Sequence, residues 1–164
     1  MNKFLIAIAT VSLLASCSGK KSTIYENDTD FHDWVNQRSI KVRDNAHSGS
    51  SVSVLDSANV FSLGFSRTIE KISSKTVSEV RFSYWYFATS PNAKITTVCS
   101  VDFTGKNVQW EGHPVKQVEL NKWIQVEEIY KFSNNVKQNN EVAVYVLNES
   151  KEEILIDDLK VEFK

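Results

Sequence analysis

The feature that most constrains the fold of this chain is a succession of short segments rich in β-branched and aromatic residues, separated by turn residues. Such segments favour strands, and no helical period of 3.6 residues is sustained between them. We predict strands over 39–43, 51–55, 63–69, 79–88, 94–103, 107–110, 123–132, 141–147 and 153–163. About nine or ten short strands predict an all-β fold, an antiparallel β-sandwich.

The amino-terminal segment differs from the rest of the chain. Lys3 supplies a positive charge, and residues 4–14 form an apolar run interrupted by Thr10 and Ser12. A membrane span needs about 20 apolar residues, whereas the apolar part of an export signal needs roughly 7–15. We therefore predict a secretory signal peptide over residues 1–16 that is removed on export.

The end of this signal resembles the lipobox of bacterial lipoproteins, in the residues Leu14-Ala15-Ser16-Cys17. The resemblance implies that Cys17 is acylated, so that 17–23 tethers the protein to a membrane outside the cytoplasm. Several acyl chains anchor a protein stably without a spanning helix. Ser18 is not the aspartate that retains some lipoproteins at the inner membrane, which favours the outer membrane. The alternative is an ordinary signal peptide that contains a cysteine.

The remaining chain, 24–164, is long enough for one domain with a substantial core. If Cys17 carries lipid, Cys99 has no disulfide partner, and its β-branched surroundings predict a buried thiol. The 19 basic and 20 acidic residues are interspersed along the chain. We therefore expect no basic surface for nucleic acid.

Catalytic motifs are absent from the sequence. There is no GxSxG, HExxH, Walker loop, GxGxxG or CxxC, and His32, His47 and His113 lack the spacing of a zinc site. Adjacent carboxylates such as Asp157-Asp158 point to opposite faces of a strand and cannot act together as acid and base. We predict that the protein is not an enzyme.

The strand at 79–88 carries aromatic residues on both faces, and one sandwich interface cannot bury both sets. Phe82, Tyr84 and Tyr86 share one face. We expect the more polar face to point outward, with the members Arg81, Ser83, Trp85 and Phe87. An outward aromatic ring offers a flat apolar surface to a sugar, so Trp85 is the best platform candidate. Tyr145 and Trp110 are added as aromatic contacts, and Arg81, Gln109 and Asn148 as hydrogen-bonding partners.

Strict alternation along 153–163 places Asp157 in a row with Leu155, Leu159, Val161 and Phe163. These apolar neighbours predict that the Asp157 side chain is buried. A buried carboxylate must be hydrogen-bonded, paired or bound to a metal. Hydrogen bonds from backbone amides and coordination of a metal ion both remain open.

Several segments together resemble the jelly-roll carbohydrate-binding modules with a galactose-binding-like fold: 46–52, the strand that begins at Trp123, 144–148 and 154–159. The resemblance covers nearly all of 24–164. It implies a structural Ca²⁺ bound by Glu26 or Asp28, by Ser48 and Gly49, and by Asp157. Carboxylate and carbonyl oxygens are the ligands that calcium prefers. The family's pattern also implies that Trp34 and Trp123 are packing residues.

These observations predict a lipid-anchored, non-catalytic module that binds glycan in the cell envelope or extracellular space. The alternative is an accessory lipoprotein that uses the same sandwich to bind another envelope protein. Exposed aromatic residues in a groove would favour a sugar, whereas an apolar patch or an unpaired edge strand would favour a protein.

Overall fold

The computed structural model describes residues 22–30, 34–116 and 118–164; the signal peptide, Cys17 and most of the predicted tether lie outside the described residues. Its strands are β1 Thr23–Asn27, β2 Ile40–Val42, β3 Ser51–Leu55, β4 Phe65–Thr68, β5 Glu79–Ala88, β6 Ile95–Phe103, β7 Lys106–Pro114, β8 Ile124–Lys131, β9 Glu141–Asn148 and β10 Ile154–Phe163. A 3₁₀ turn spans Gln37–Ser39 and one short helix, α1, spans Ile69–Ile72. Within these ranges, no helix has the length and apolar character needed to cross a membrane.

The strands form two antiparallel sheets. One has six strands in the order β2-β3-β10-β5-β8, with β1 also paired to β10, and the other has the order β4-β9-β6-β7. The predicted all-β antiparallel sandwich is confirmed. Each strand predicted from the sequence overlaps an observed one. Both β1, which begins inside the predicted tether, and α1 were missed because each is too short to show a period.

The core lies between the sheets and is rich in aromatic residues. Phe82, Tyr84 and Tyr86 of β5 are buried against the opposite sheet, while Arg81 and Trp85 point outward. Each fully buried large side chain stabilises the fold by roughly 1.5–3 kcal/mol. The predicted assignment of the two faces of this strand is confirmed.

A β-bulge changes the face that β10 presents to the core. The register shifts between Asp157 and Lys160, and Asp158 has a φ of 47°. Ile154 and Ile156 face the core before the bulge, whereas the core residues after it are Leu159, Val161 and Phe163. An extra residue inserted in one strand reverses the alternation beyond it. The predicted common face for residues 155–163 is therefore wrong, and Leu155 belongs to a small outer cluster with Val52 and Val54.

The bulge lies where β10 changes neighbours along one of its edges. Residues 154–156 pair with β3, and residues 159–163 pair with β1. The side chain of Asp157 is completely buried at this junction. The early segment of the chain, the loop before β3 and the last strand therefore meet at one point.

Candidate functional site

The residues predicted to contact a ligand lie on different faces of the sandwich. Trp85 and Arg81 project from β5 on the outer face of the six-stranded sheet, while Tyr145 of β9 and Trp110 of β7 belong to the four-stranded sheet. Asn148 is buried at the end of β9. These five residues therefore do not surround one common site, because alternation gives the face of a strand but not the sheet that the strand joins.

Trp110 and Tyr145 lie together on the outer face of the four-stranded sheet. Trp110 is 55% exposed; burial raises the pKa of the neighbouring Tyr145 phenol, and the nearby Trp110 side chain opposes that rise. The indole also extends over Gly112, where a Cβ would lie 2.6 Å from its Cη2 atom. The missing side chain of Gly112 allows the ring to lie against the strand.

Phe61 extends this surface on the other side of Tyr145. Its ring meets the Tyr145 ring edge-on, with centroids 5.5 Å apart and an interplanar angle of 88°. Phe61 is 42% exposed and forms an isolated bridge with Leu147 of β9. We call Phe61, Tyr145 and Trp110 the aromatic row. Sequence reasoning missed Phe61 because it lies in a segment without periodicity, and a large apolar residue among turn residues was its only signal.

The aromatic row covers the strand beneath it. Thr96, Val98 and Ser100 alternate with the core residues of β6 and so point outward, yet all three are buried, and Val98 has no exposed surface. Val98 lies opposite Tyr145 on one side and Gly112 on the other. The side chains of Tyr145 and Trp110 therefore form a continuous surface over β6.

A carboxylate is fixed at one end of this surface. Glu149 follows β9 and points outward like Tyr145, because alternate residues share a face. The Thr96 hydroxyl donates to Glu149 Oε1 at 2.7 Å, and the Glu149 N–H donates to the carbonyl of Lys94 at 3.0 Å. Glu149 is exposed, so it offers a positioned acceptor to a donor on a ligand.

Asn148 organises the loop that carries Glu149. Its Oδ1 atom accepts hydrogen bonds from the backbone N–H groups of Ser150 and Lys151, at 3.0 and 3.1 Å. Its Nδ2 group donates to the carbonyl of Glu152 at 2.7 Å. The buried amide of Asn148 thus shapes the loop, and its polar atoms are used within the chain.

The opposite outer face has a different character, because the chain itself covers Trp85. The His47 ring stacks on Trp85 with centroids 4.1 Å apart and an interplanar angle of 18°. Trp123 meets His47 edge-on at 5.5 Å, and its indole donates to the carbonyl of Asn45 at 3.1 Å. Trp123 is thus a packing residue, and Trp34, which is 5% exposed, packs against Phe65 in the core.

Trp85 itself lines a groove of about 440 Å³ on this face, together with Ser83, Gln125 and Lys160 among other residues. Charged side chains along this face are paired with one another. Lys160 contacts Glu26 at 2.8 Å, and Arg81 contacts Glu127 at 3.2 Å and Glu162 at 4.0 Å. The predicted hydrogen-bonding role of Arg81 therefore competes with two carboxylates of the chain.

Asp157 anchors the loop that covers Trp85. Its Oδ2 atom accepts the N–H groups of His47 and Ser48, at 2.9 and 3.1 Å. Its Oδ1 atom accepts the Thr29 hydroxyl at 3.1 Å and the N–H of Asp158 at 2.8 Å. Burial raises the pKa of Asp157 to about 6, although these hydrogen bonds oppose the shift. The carboxylate is satisfied by protein donors, one of the two arrangements left open by the sequence.

The other predicted calcium ligands have partners of their own. Glu26 is exposed and pairs with Lys160, and the Asp28 carboxylate accepts the N–H of Asp30 at 3.2 Å. The Ser48 hydroxyl donates to Asp158.

Asp30, rather than either predicted acid, reaches the turn at Gly49. Gly49 has a φ of 57°, and the Asp30 carboxylate fills the space that a Cβ there would occupy. No group of three or more His, Cys, Asp or Glu residues within the described ranges is arranged to hold a metal ion. Bound calcium at Glu26 or Asp28, Ser48, Gly49 and Asp157 therefore stays a prediction.

Comparison with solved structures shows which folds this sandwich resembles. The CBM22-1 xylan-binding domain of Xyn10C from Paenibacillus barcinonensis superposes with a TM-score of 0.56 at 16% identity, covering 89% of this chain and 97% of that domain. The C-terminal family 22 carbohydrate-binding module of Clostridium thermocellum Xyn10B gives 0.55 at 14%, covering 84% and 91%. The xylan-binding module CBM15 gives 0.54 at 9%, covering 87% and 97%.

At these identities the likeness is one of fold: the chain has the jelly-roll sandwich of carbohydrate-binding modules. No family model matches the sequence, and no curated protein matches it.

Proposed function

We propose that this protein is a non-catalytic glycan-binding module that uses the aromatic row as its contact surface. The observation that carries the proposal is the row itself, in which the exposed rings of Phe61 and Trp110 lie on either side of Tyr145. Aromatic rings offer flat apolar surfaces to the C–H faces of sugar rings, and nearby polar groups fix the orientation. Glu149 supplies such a polar group as an acceptor for sugar hydroxyls.

The aromatic row is better suited to this role than Trp85. A sugar needs the face of an aromatic ring, and His47 already occupies a face of Trp85. Trp110, in contrast, has more than half of its surface exposed. We therefore place the ligand on the four-stranded sheet, with Tyr145 and Trp110 retained from the predicted contacts and Phe61 added.

Xylan is the first ligand to test, because two of the three compared structures are described as xylan-binding. The experiment is a calorimetric titration of the purified protein with xylohexaose, together with a glycan array that includes other neutral glycans. We expect saturable binding that Trp110→Ala weakens by about tenfold or more. Phe103→Ala is the matched control, since Phe103 is 42% exposed but lies outside the row. Equal affinities of the two variants would overturn the assignment of the row.

We also propose that the protein is lipid-anchored through Cys17 in the bacterial cell envelope, at the outer membrane. The support is the amino-terminal sequence, with its short apolar run followed by Leu14-Ala15-Ser16-Cys17. Metabolic labelling with a fatty acid should mark the wild type and leave Cys17→Ser unlabelled. A labelled Cys17→Ser variant would contradict the anchor and leave the glycan site untouched.

The alternative function, binding to another envelope protein, is supported by a different region. β2 is an edge strand of the six-stranded sheet, and its Val42 is 72% exposed. An exposed edge is a template for pairing with a strand of a partner. Crosslinking in intact cells from the exposed position 41 should capture a defined envelope protein if this alternative holds, and Val42→Lys should abolish the capture without changing glycan binding.

A further inference from the structure

The strand that carries Trp110 is attached to the rest of the sandwich in two different ways. β7 is an edge strand that pairs with β6 along one side. Trp110 points outward, whereas Gln109, Glu111 and His113 lie opposite the core-facing residues Val101, Cys99 and Thr97 of β6. Two of these inward side chains, Gln109 and His113, reach across the open edge of the sandwich to β8, the edge strand of the other sheet.

His113 forms the central contact across this opening. Its Nδ1 atom lies 2.8 Å from Glu128 Oε2 on β8, and its Nε2 atom lies 2.8 Å from Glu111 Oε1 on its own strand. Its ring stacks on Tyr130 with centroids 4.5 Å apart and an interplanar angle of 24°. One imidazole ring thus connects β7 of one sheet with two residues of β8 in the other.

The geometry requires a charged imidazole. Both partners are carboxylates, and only the protonated ring donates from both nitrogens. A neutral ring leaves one nitrogen lone pair facing a carboxylate oxygen. Burial lowers the pKa of His113, but the hydrogen bonds and charges of Glu111 and Glu128 outweigh it and raise the pKa above its ordinary value.

The remaining titratable groups in this region are a thiol and two phenols. Cys99 of β6 lies opposite Glu111, Tyr130 of β8 stacks on the ring, and Tyr84 of β5 bonds Thr97, the β6 residue opposite His113. Burial raises the pKa of Cys99 to about 12 and raises the pKa values of Tyr84 and Tyr130 as well. All three stay neutral near neutral pH, so His113 is the group that titrates there.

We propose that His113 is a pH-dependent clasp that holds β7, and with it Trp110, onto β8. The clasp is a positioning device that acts through the strand and touches no ligand. It goes beyond the proposed function, since it concerns the attachment of β7 whether or not a glycan is bound.

The direction of the pH effect follows from the charge state of His113. A group whose pKa is raised in the folded state stabilises that state fully below its ordinary pKa, about 6.5, and loses the contribution as pH rises through the folded value. The attachment of β7 is therefore strongest in mildly acidic solution and weakens as the solution becomes alkaline.

Gln109 provides a matched control on the same strand. Its Nε2 group donates to the carbonyl of Lys131 at 2.8 Å, and its Oε1 atom accepts the N–H of Ser133 at 2.9 Å. This second link between β7 and the end of β8 contains no titratable group. Gln109→Ala should loosen β7 equally at every pH, whereas a change at His113 should remove the pH dependence itself.

The test is hydrogen exchange of the β7 amides in the purified protein without glycan, at pH 6 and pH 9, corrected for intrinsic exchange rates. We expect wild-type protection of 106–114 to fall by about tenfold or more between the two values, the scale of one hydrogen bond to a charged group. His113→Gln should show low protection at both pH values, and Gln109→Ala should retain the wild-type difference. His113→Arg, which keeps donors and charge at both values, should restore protection at pH 9.

Glu128→Gln provides a second measurement that does not remove the histidine. The pKa of His113, followed by NMR, should fall in this variant because one carboxylate charge is lost. Wild-type protection that does not change between pH 6 and pH 9, or a His113 pKa that is the same in Glu128→Gln, would overturn the clasp. Xylohexaose titrations are carried out separately, so a failure of glycan binding is distinguishable from a failure of the clasp.

Discussion

Both outer faces of this sandwich carry aromatic side chains, but the two sets differ in their exposure to solvent. On the four-stranded sheet, the rings of Phe61 and Trp110 are open to solvent around Tyr145. On the six-stranded sheet, Trp85 lies beneath His47, which belongs to the loop before β3. An outward-pointing aromatic residue is therefore available to a ligand only where no loop of the chain is fastened over it.

The fastening of that loop depends on the bulge in β10. Asp157 accepts the N–H groups of His47 and Ser48, while the Asp158 carboxylate contacts the His47 ring and the Ser48 hydroxyl. Two adjacent residues reach the same loop because the positive φ of Asp158 breaks the alternation of the strand. The bulge thus fastens the His47 loop over Trp85, whereas within the described residues no such loop covers Trp110 on the other face.

The largest expected effect comes from removing the anchor of the loop. Asp157→Ala leaves the N–H groups of His47 and Ser48 without their acceptor at a buried junction, which should lower the free energy of unfolding by about 3 kcal/mol or more. Urea unfolding measures the loss. Asp28→Ala is the control, because that carboxylate caps a turn at the surface. An Asp157→Ala variant as stable as Asp28→Ala would contradict the anchoring role.

The pH dependence of stability tests the same anchor by changing the protonation state of Asp157. Burial raises the pKa of Asp157 above the ordinary 3.8 to about 6. The neutral form of the Asp157 carboxyl is therefore favoured in the folded state. The stability that this form contributes is fully present below pH 3.8 and is lost as pH rises through about 6. This loss amounts to about 2–3 kcal/mol. Thermal melts should show a smaller pH slope between pH 4 and pH 7 for Asp157→Asn than for the wild type.

A chelator distinguishes calcium from protein donors at this site. The four donors around Asp157 favour a melting temperature at neutral pH that EDTA does not change. A melting temperature that EDTA lowers and added Ca²⁺ restores would instead support the predicted calcium, with Asp157 held ionised by the cation.

Replacing one tryptophan at a time tests the difference between the two outer faces. Trp110→Ala should weaken xylohexaose binding by about tenfold with little change in melting temperature, since Trp110 is mostly exposed. Trp85→Ala should destabilise the protein by about 1–3 kcal/mol, because it removes the surface on which His47 stacks, and should leave affinity unchanged. Calorimetry measures the affinity of each variant, and thermal melts measure its stability. Loss of binding in Trp85→Ala alone would place the binding site on the six-stranded sheet instead.

The smallest expected effect concerns the glycine beneath the indole. In Gly112→Ala the new Cβ would meet the Trp110 ring and tilt it away from the strand. We expect affinity for xylohexaose to fall severalfold, by less than 1 kcal/mol, the scale set by the loss of one well-placed contact. The double variant Gly112→Ala/Trp110→Ala should bind no worse than Trp110→Ala alone, since the glycine acts only through the ring. Additive losses would contradict this reading.

The sequence by itself determined the strands and the two faces of β5. Both are local properties: β-branched and aromatic runs favour strands, and alternation in a straight strand sends the polar side of β5 outward. The same reasoning identified Trp110 and Tyr145 as contact candidates, but it gave no signal for Phe61, which lies outside any regular pattern.

Only the tertiary structure decided which sheet each aromatic residue joins, where β10 changes face and which ring the His47 loop covers. These features depend on pairings between residues far apart in the chain, such as His47 with Asp158 and Phe61 with Leu147. A local pattern carries no information about such partners. A single bulge residue reverses the alternation on which that pattern rests, and it is for this physical reason that the open face could be recognised only in the folded chain.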